Sequence, residues 1–324
     1  MPSPRTTRPV LVTGAAGFAG SHLVDLLARE GEPIVGWYRP GGDVPDPAGH
    51  DGRRGVMWHA IELLDQETVR QAVAATRPSA VYHLAGAAHQ GSSWQESDTA
   101  LALNVRATHH LLEALRQHAP DVRVLVTGSA AVYRAAAVSL EEDAPLAPAS
   151  PYGLSKLAQE LLAMRAAQDD GLPVIVTRSF NHIGPGQSPA YFASSFARQL
   201  ARVEARLADP VISVGNLEPR RDLTDVRDTV RAYRLLMTHG RPGRTYNVCS
   251  GRAYAIREVL DTLRQHAARD VEVRVDQARL RPTDQPLVLG NPARLTAETG
   301  WRPEIPLSRT LADLLAWHRT QLSE

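Results

Sequence analysis

Tyr152 and Lys156 stand four residues apart and could together transfer a proton. On a helix, side chains at this spacing share one face. A nearby ammonium stabilises phenolate over phenol, which lowers the pKa of the tyrosine and makes it an acid or base near neutral pH. Ser129 ends a predicted strand and could hydrogen-bond a substrate oxygen. Although this spacing also occurs by chance on helices, the pattern predicts Ser129, Tyr152 and Lys156 as catalytic residues.

A glycine-rich segment near the N-terminus predicts a phosphate-binding turn. Its glycines follow a GxxGxxG spacing over residues 14–20, between a strand-like run and a helical one. Glycines let the backbone turn tightly beside a pyrophosphate, which then lies on the free N–H groups of the helix N-terminus. A plain tight turn is the alternative. We expect cofactor contacts from Gly14, Gly17, Phe18 and Ala19.

The end of the second predicted strand indicates which dinucleotide is bound. An acidic residue there would accept hydrogen bonds from the ribose hydroxyls and favour NAD. The chain has Tyr38-Arg39 instead, and Arg39 could meet a 2′-phosphate, unless it only opens a solvated loop. The pattern favours NADP(H) over NAD(H). Glu62 and Leu63, after the third strand, could flank the adenine, although a structural leucine is the alternative.

Short apolar runs alternate with amphipathic segments in the first part of the chain. Strands are predicted at 10–13, 33–37, 80–84, 123–127, 173–177 and 246–249, and helices at 21–29, 67–75, 104–117 and 154–169. Apolar strands that alternate with helices are typical of a parallel sheet covered on both faces. Right-handed crossovers make such a sheet doubly wound. The predicted class is α/β, a Rossmann fold with a smaller C-terminal α/β substrate lobe over the carboxyl edge.

Composition excludes several classes of protein. Apolar residues make up 43% and charged residues 22%, which suits a folded chain with a core. The net charge of +1 gives no overall attraction to nucleic acid or to a membrane. A single cysteine, Cys249, excludes an intramolecular disulfide and a zinc site with several thiolates.

Neither a metal site nor a membrane segment is expected. The 12 histidines lack ligand spacing, and adjacent His109 and His110 would point about 100° apart on a helix. The chain has no apolar run of about 18 residues and no signal-peptide stretch at its N-terminus. We expect a cytoplasmic protein that binds no metal, nucleic acid or membrane.

Taken together, these residues resemble the extended short-chain dehydrogenase/reductase family of nucleotide-sugar epimerases and dehydratases. The resemblance covers nearly the whole chain, through the glycine loop, the run 83–86, Asn104-Val105, Ser129, Tyr152 with Lys156, and the runs 180–187, 214–228 and 246–251. The later runs are most similar to the GDP-mannose 4,6-dehydratase and GDP-4-keto-6-deoxymannose reductase branch. The resemblance implies a cofactor domain at 1–184, with a returning segment near 222–252, and a nucleotide-sugar lobe mostly at 185–324.

The resemblance also implies roles for individual residues. Leu84, Ala85 and Gly86 would contact the cofactor together with Tyr152 and Lys156. The nucleotide sugar, a GDP-sugar in this branch, would contact Ser93, Ser129, Asn181, Arg221 and Arg281. The arginines would grip the diphosphate, unless they only pair with Asp222 or Asp284; for Ser93, a solvated loop is the alternative.

Oligomerisation is implied by the same resemblance. Helices 104–117 and 154–169 would pair with their copies in a four-helix homodimer contact. The alternative is that their apolar faces only cover the sheet.

One departure from the dehydratase pattern bears on the reaction. In the GDP-mannose branch, a Glu two residues after the position of Ser129 takes part in the elimination, and here that residue is Ala131. Since alanine cannot transfer a proton, we favour an NADPH-dependent reductase of the type that converts GDP-4-keto-6-deoxy-D-mannose to GDP-D-rhamnose. A dehydratase with a base from 141–143, a 4-epimerase, and a scaffold protein without turnover are the alternatives.

Overall fold

The strands of the protein form one large sheet and two small ones. The computed structural model describes residues 8–42, 55–87, 97–279 and 285–322. In these ranges the strands are β1 (Val10–Thr13), β2 (Ile34–Tyr38), β3 (Val56–Ala60), β4 (Ala80–His83), β5 (Arg123–Ser129), β6 (Val174–Ser179), β7 (Asn181–Ile183), β8 (Val211–Val214), β9 (Arg220–Asp225), β10 (Arg244–Val248), β11 (Ala253–Ala255), β12 (Glu272–Val275) and β13 (Leu287–Val288).

The helices lie between and after these strands. They are α1 (Phe18–Arg29), α2 (Gln66–Thr76), α3 (Ser97–Leu101), α4 (Ala107–His118), α5 (Pro151–Asp169), α6 (Phe192–Glu204), α7 (Val226–His239), α8 (Ile256–Gln265), α9 (Ala293–Thr299) and α10 (Leu307–Thr320). A π-helical turn, Ala102–Arg106, joins α3 to α4. Across the described ranges, none of the helices combines the length and the apolar character that a membrane crossing requires.

The large sheet has seven parallel strands in the order β10-β6-β5-β4-β1-β2-β3. Because β1 pairs with both β2 and β4, the chain winds outward from β1 in two directions. One face packs against α1 and α7, and the other against α2, α4 and α5. All residues of β1 and β6 are buried, as expected of strands covered on both sides. The predicted doubly wound α/β class is confirmed.

Elements beyond β6 pack around a core of their own. Strand β9 pairs with β11, β13 and β7, while β8 pairs with β12. Helices α6, α8 and α10 pack together over apolar side chains that include Phe196, Leu263 and Leu314. Strand β10 instead pairs with β6 in the large sheet, and α7 packs against that sheet. The chain therefore returns to the large sheet between β9 and β11.

All four predicted helices differ from their predicted bounds, and two of these differences bear on the cavity described below. Helix α5 begins three residues earlier than predicted, because the Ser150 hydroxyl accepts a hydrogen bond from the Gly153 N–H (3.1 Å) and Pro151 suits the first helical position. This start places Tyr152 in the first turn. The segment predicted as one helix from residue 104 instead continues α3 through the π turn, where the Ala107 N–H bonds to the Ala102 carbonyl, five residues back.

A buried ion pair links α5 to β6 and provides a test of the fold. Arg178 donates two hydrogen bonds to Glu160 (2.9 and 2.6 Å), and both side chains are 5% exposed. We expect Glu160→Ala to lower the free energy of unfolding by about 3–5 kcal/mol, because it leaves a buried guanidinium unpaired. Urea denaturation followed by circular dichroism measures the change.

The matched control is Glu272→Ala, which removes an ion pair with Arg274 whose side chains are 61% and 64% exposed. Its cost should stay below about 1 kcal/mol, since water screens exposed pairs. Equal losses in the two variants would contradict the assignment of Glu160 as the partner of a buried charge.

Candidate active site

A cavity of about 1770 Å³ lies at the carboxyl ends of β1, β2, β4, β5 and β6. Residues that follow β6 in the chain line its other side, among them residues within 187–193, Arg221, Gln285 and Val288. Ligands of open parallel sheets bind at this edge, where the winding direction reverses. The cavity is therefore the candidate active site.

The turn between β1 and α1 forms a cradle that requires glycine. Gly14 has φ +68°, and a Cβ on it would lie 2.7 Å from the Ala85 backbone nitrogen. A Cβ on Gly20 would collide with the Gly14 carbonyl oxygen. Helix α1 begins at Phe18 without a side-chain cap, so its first N–H groups are left for a ligand. Gly14, Gly17, Phe18 and Ala19 all line the cavity. This geometry fits a dinucleotide pyrophosphate.

The far end of the cavity has the residues expected around an adenosine. Arg39 is exposed directly after β2 and lines the cavity beside Tyr38. Glu62 and Leu63 line it as well, and the Glu62 carboxylate accepts a hydrogen bond from the Leu64 N–H (2.9 Å). No carboxylate stands at the end of β2, which is the position that would select an unphosphorylated ribose.

A short turn after β4 forms the wall opposite the glycine cradle. Leu84, Ala85 and Gly86 line the cavity. A Cβ on Gly86 would collide with the side-chain oxygen of Asn104, which accepts a hydrogen bond from the Ala87 N–H (3.0 Å). The π turn thus brings Asn104 against this wall, and Asn104 is fully buried.

Ser129 and Tyr152 meet at the centre of the cavity. Their side chains are hydrogen-bonded to each other, and Ser129 Oγ also accepts from the Ala131 N–H (3.2 Å). Burial raises the pKa of Tyr152, and the hydrogen bond with Ser129 offsets this only in part. The expectation that Lys156 lowers this pKa is therefore wrong for this structure, because desolvation of the phenol dominates. Tyr152 stays protonated near neutral pH.

Lys156 lies one helical turn after Tyr152 and also lines the cavity. Its ammonium donates to the Thr127 carbonyl oxygen (3.0 Å) and to Gln159 Oε1 (2.9 Å). Burial lowers the pKa of Lys156 to about 8. Lys156 is the single lysine among the 36 lysine and arginine residues of the sequence. The rarity of lysine in the sequence also singles out Lys156, whereas the prediction used only its spacing from Tyr152.

Position 131 and the acidic run 141–143 bear on elimination chemistry. Ala131 lines the cavity, whereas residues 141–143 do not. Glu141 accepts a hydrogen bond from Asn291 (3.1 Å), and Glu142 accepts one from the Asn247 N–H (2.9 Å). The Glu141 and Glu142 carboxylates are therefore hydrogen-bonded outside the cavity, where they cannot serve as the alternative base.

Three of the residues expected to bind substrate are among those described, and all of them line the cavity: Ser129, Asn181 and Arg221. Asn181 is exposed in β7, and Arg221 in β9 donates to the Gln285 carbonyl oxygen (2.7 Å). Asp222 does not pair with Arg221, because its buried carboxylate accepts hydrogen bonds from Ser250, Gly251 and Gly290. Ser93 and Arg281 lie outside the described residues.

The structure also places Gln187 and Tyr191 in the wall of the cavity, for which the sequence predicted no individual role. Gln187 ends the 180–187 run, and Tyr191 follows it. Burial and the nearby Tyr152 raise the pKa of Tyr191 to about 12. Both lie in the irregular segment before α6, where no periodic pattern indicates which side chains face inward.

Comparisons with known proteins agree with this geometry. The profile of the GDP-mannose 4,6 dehydratase family matches residues 11–314. GDP-6-deoxy-D-mannose reductase of Pseudomonas aeruginosa is 34% identical over 98% of this chain and 99% of its own length.

Two solved structures of nucleotide-binding enzymes are similar to this chain over nearly its whole length. The protein RMD of Pseudomonas aeruginosa, solved with NADPH, superposes with a TM-score of 0.84 at 33% identity, covering 97% of this chain and 100% of that one. The UDP-glucose 4-epimerase of Thermus thermophilus, solved with NAD, gives 0.84 at 28% identity, covering 96% and 99%. The chain belongs to the GDP-mannose 4,6-dehydratase family, within the extended short-chain dehydrogenases/reductases of nucleotide sugars.

Proposed function

We propose that this protein is an NADPH-dependent reductase of a 4-keto-6-deoxy nucleotide sugar, of the type that converts GDP-4-keto-6-deoxy-D-mannose to GDP-D-rhamnose. The observation that carries the proposal is the placement of Tyr152 beside Ser129 in a cavity whose residue 131 is alanine. The full-length likeness to the Pseudomonas aeruginosa reductase supports the same reaction.

Carbonyl reduction needs a hydride on carbon and a proton on oxygen. NADPH, when bound, supplies the hydride to C4 of the sugar. Ser129 orients the 4-keto oxygen through its hydroxyl, and Tyr152 donates its phenolic proton to that oxygen. The phenol of tyrosine is in its acid form near neutral pH, and this is the form that reduction consumes. Lys156 holds the cofactor ribose beside Tyr152.

The remaining site residues divide between the two ligands. Gly14, Gly17, Phe18 and Ala19 bind the cofactor pyrophosphate, while Leu84, Ala85 and Gly86 contact its nicotinamide half. Arg221 and Arg281 bind the sugar nucleotide's diphosphate, and Asn181 and Ser93 contact its sugar. In this assignment residues 1–184, with the returning segment near 222–252, hold the cofactor, and residues 185–324 mostly hold the substrate.

A 4-epimerase is the second candidate, favoured by the likeness to the Thermus thermophilus enzyme. Epimerisation starts with oxidation of C4, for which Tyr152 must act as a base. The end of β2 also lacks the carboxylate that would favour NAD, the cofactor with which the Thermus thermophilus epimerase was solved. A dehydratase would also need a carboxylate where this chain has Ala131, so both alternatives fit the site less well.

We also propose a homodimer in the cytoplasm, formed through α5 and the helix that contains α3 and α4. Large apolar side chains are exposed on this surface: Leu101 is 41% exposed, Leu154 54% and Leu161 61%. An exposed apolar patch of this kind usually marks an interface. The four-helix contact of the family would cover it.

The first test measures NADPH oxidation with GDP-4-keto-6-deoxymannose generated by a separate dehydratase. We expect turnover in the native protein and a loss of about 10²- to 10⁴-fold in kcat in Tyr152→Phe, because the proton donor is removed. Tyr82→Phe is the matched control, since Tyr82 is buried in the sheet outside the cavity.

Product analysis separates the alternatives. A GDP-6-deoxyhexose with NADPH consumed supports the reductase. A keto sugar formed from GDP-mannose and NADP⁺ would instead identify a dehydratase, and interconversion of 4-hydroxy epimers without net NADPH use would identify an epimerase.

The second test concerns cofactor choice. Arg39→Ala should lower kcat/KM for NADPH by about 10- to 100-fold and leave that for NADH nearly unchanged, because one charge-assisted contact to the 2′-phosphate is lost. Arg29→Ala, on the exposed end of α1 and outside the cavity, is the control. The role of Arg39 would be refuted if the ratio of kcat/KM for NADPH to kcat/KM for NADH were the same in Arg39→Ala as in the native protein.

The third test concerns the dimer. Leu161→Asp should weaken self-association by about tenfold or more, because dimerisation would then bury an unpaired carboxylate. Analytical ultracentrifugation over a concentration series measures the change. Leu207→Asp replaces a leucine of similar exposure, 54%, after α6 and should leave the association constant unchanged. A monomeric native protein would reject the proposed contact.

A further inference from the structure

The Lys156 ammonium is held by uncharged oxygens. Two of its three N–H groups are taken, by the Thr127 carbonyl oxygen and by Gln159 Oε1. Lys156 is 5% exposed and Gln159 is fully buried. Among the described residues, no carboxylate forms an ion pair with Lys156, so its charge is stabilised by dipoles alone. Losing one acceptor of a buried charge costs more than losing an ordinary hydrogen bond.

The neighbours of Gln159 fix the orientation of its amide. Lysine has no acceptor, so the oxygen of the amide must face the ammonium. The amide nitrogen, Nε2, then faces Thr108 Oγ1 at 2.8 Å. Thr108 gives its one hydroxyl proton to the Asn104 carbonyl oxygen (2.7 Å), so Oγ1 is free to accept from Gln159. Both ends of the amide are therefore matched in donor and acceptor sense.

The same hydroxyl determines the state of His83. His83 Nε2 lies 2.9 Å from Thr108 Oγ1, and because the Thr108 proton is already committed, Nε2 carries the proton of this bond. Its Nδ1 then accepts from the Thr13 hydroxyl (2.7 Å). Burial, together with the charge of Lys156, lowers the pKa of His83 to about 3. The ring therefore stays neutral while Lys156 titrates.

Within the described ranges, few other titratable groups surround the ammonium. Tyr152 precedes it on α5, and His83 faces it from β4. On β6, Arg178 is paired with Glu160, and Asp98 on α3 is exposed. The other packed elements contribute Thr127 from β5, Asn104 from the π turn and Thr108 from α4, none of which titrates.

We propose that Gln159 is a positioning residue, which holds the Lys156 ammonium so that its third N–H meets a hydroxyl of the bound cofactor's ribose. The role rests on the proposed oxidoreductase function, since it acts through Lys156. Without Gln159 Oε1, the ammonium keeps one protein acceptor and can rotate about the end of its side chain. A planar guanidinium could not present three N–H groups in this arrangement.

The sequence allows a direct measurement in the free protein. Because Lys156 is the single lysine, selective ¹⁵N or ¹³C labelling of lysine gives one side-chain NMR signal, whose pH titration reports its pKa. We expect Gln159→Leu to lower that pKa by about one unit, because an acceptor of the charged form is lost. Gln159→Glu should raise it by about one unit or more, because a carboxylate favours the ammonium.

Gln199→Leu is the matched control for deleting a glutamine amide. Gln199 exchanges two hydrogen bonds with the Ser213 backbone (2.9 and 3.2 Å) in the second lobe, outside the cavity. Its loss should cost stability without moving the lysine signal. The same lysine pKa in the native protein and both Gln159 variants would overturn the proposal.

The pH profile of NADPH oxidation gives the functional readout. The ammonium is the active form, so activity is lost as the pH rises through the pKa of Lys156, about 8 in the native protein. This alkaline limb should move to lower pH in Gln159→Leu and to higher pH in Gln159→Glu. A limb that stays in place although the lysine signal moves would overturn the positioning role. Shifted lysine signals with no turnover of the keto sugar would support the hydrogen-bond arrangement and refute the proposed function.

Discussion

The site depends on a buried positive charge that has no carboxylate beside it among the residues that the structure describes. Lys156 can remain an ammonium inside the protein only if oxygen dipoles replace its water. The Thr127 carbonyl and the Gln159 amide do so, and each comes from an element that must be held in register with α5. A carboxylate would hold the charge more simply, but it would also neutralise the site where an anionic cofactor binds.

The parallel sheet meets this constraint because its strands end together. The turns after β1 and β4 approach so closely that Gly14 has no room for a Cβ against Ala85. Ser129 ends β5 beside the first turn of α5. Because the Ser150 cap and Pro151 start this helix at residue 151, its first turn includes Tyr152. Arg221 reaches the same cavity from β9, a strand that the buried Asp222 carboxylate ties to its neighbours.

Sequence patterns predicted those features of the fold and site that depend only on neighbouring residues. The GxxGxxG loop, the Tyr152 and Lys156 spacing and the apolar strands each depend on a few adjacent residues, and the structure places them as expected. The π turn was not predicted, because its extra residue changes the hydrogen-bond pattern without a compositional signal. The role of Gln159 was also missed, since it depends on Thr108, which is far away in sequence. The shift of the Tyr152 pKa depends on how much water the folded cavity excludes, and no spacing rule gives that quantity.

The π turn has one more consequence, for the order of protons in the interior. From the Ala85 N–H, hydrogen bonds run through Thr13 and His83 to Thr108, and from Lys156 they run through Gln159 to the same hydroxyl. Both branches end at the Asn104 carbonyl oxygen within the turn. The hydroxyl protons of Thr13 and Thr108 and the ring proton of His83 therefore each have one assignment in this network. The Gln159 amide that faces the Lys156 ammonium is thereby linked, through Thr108, to a backbone carbonyl of the π turn.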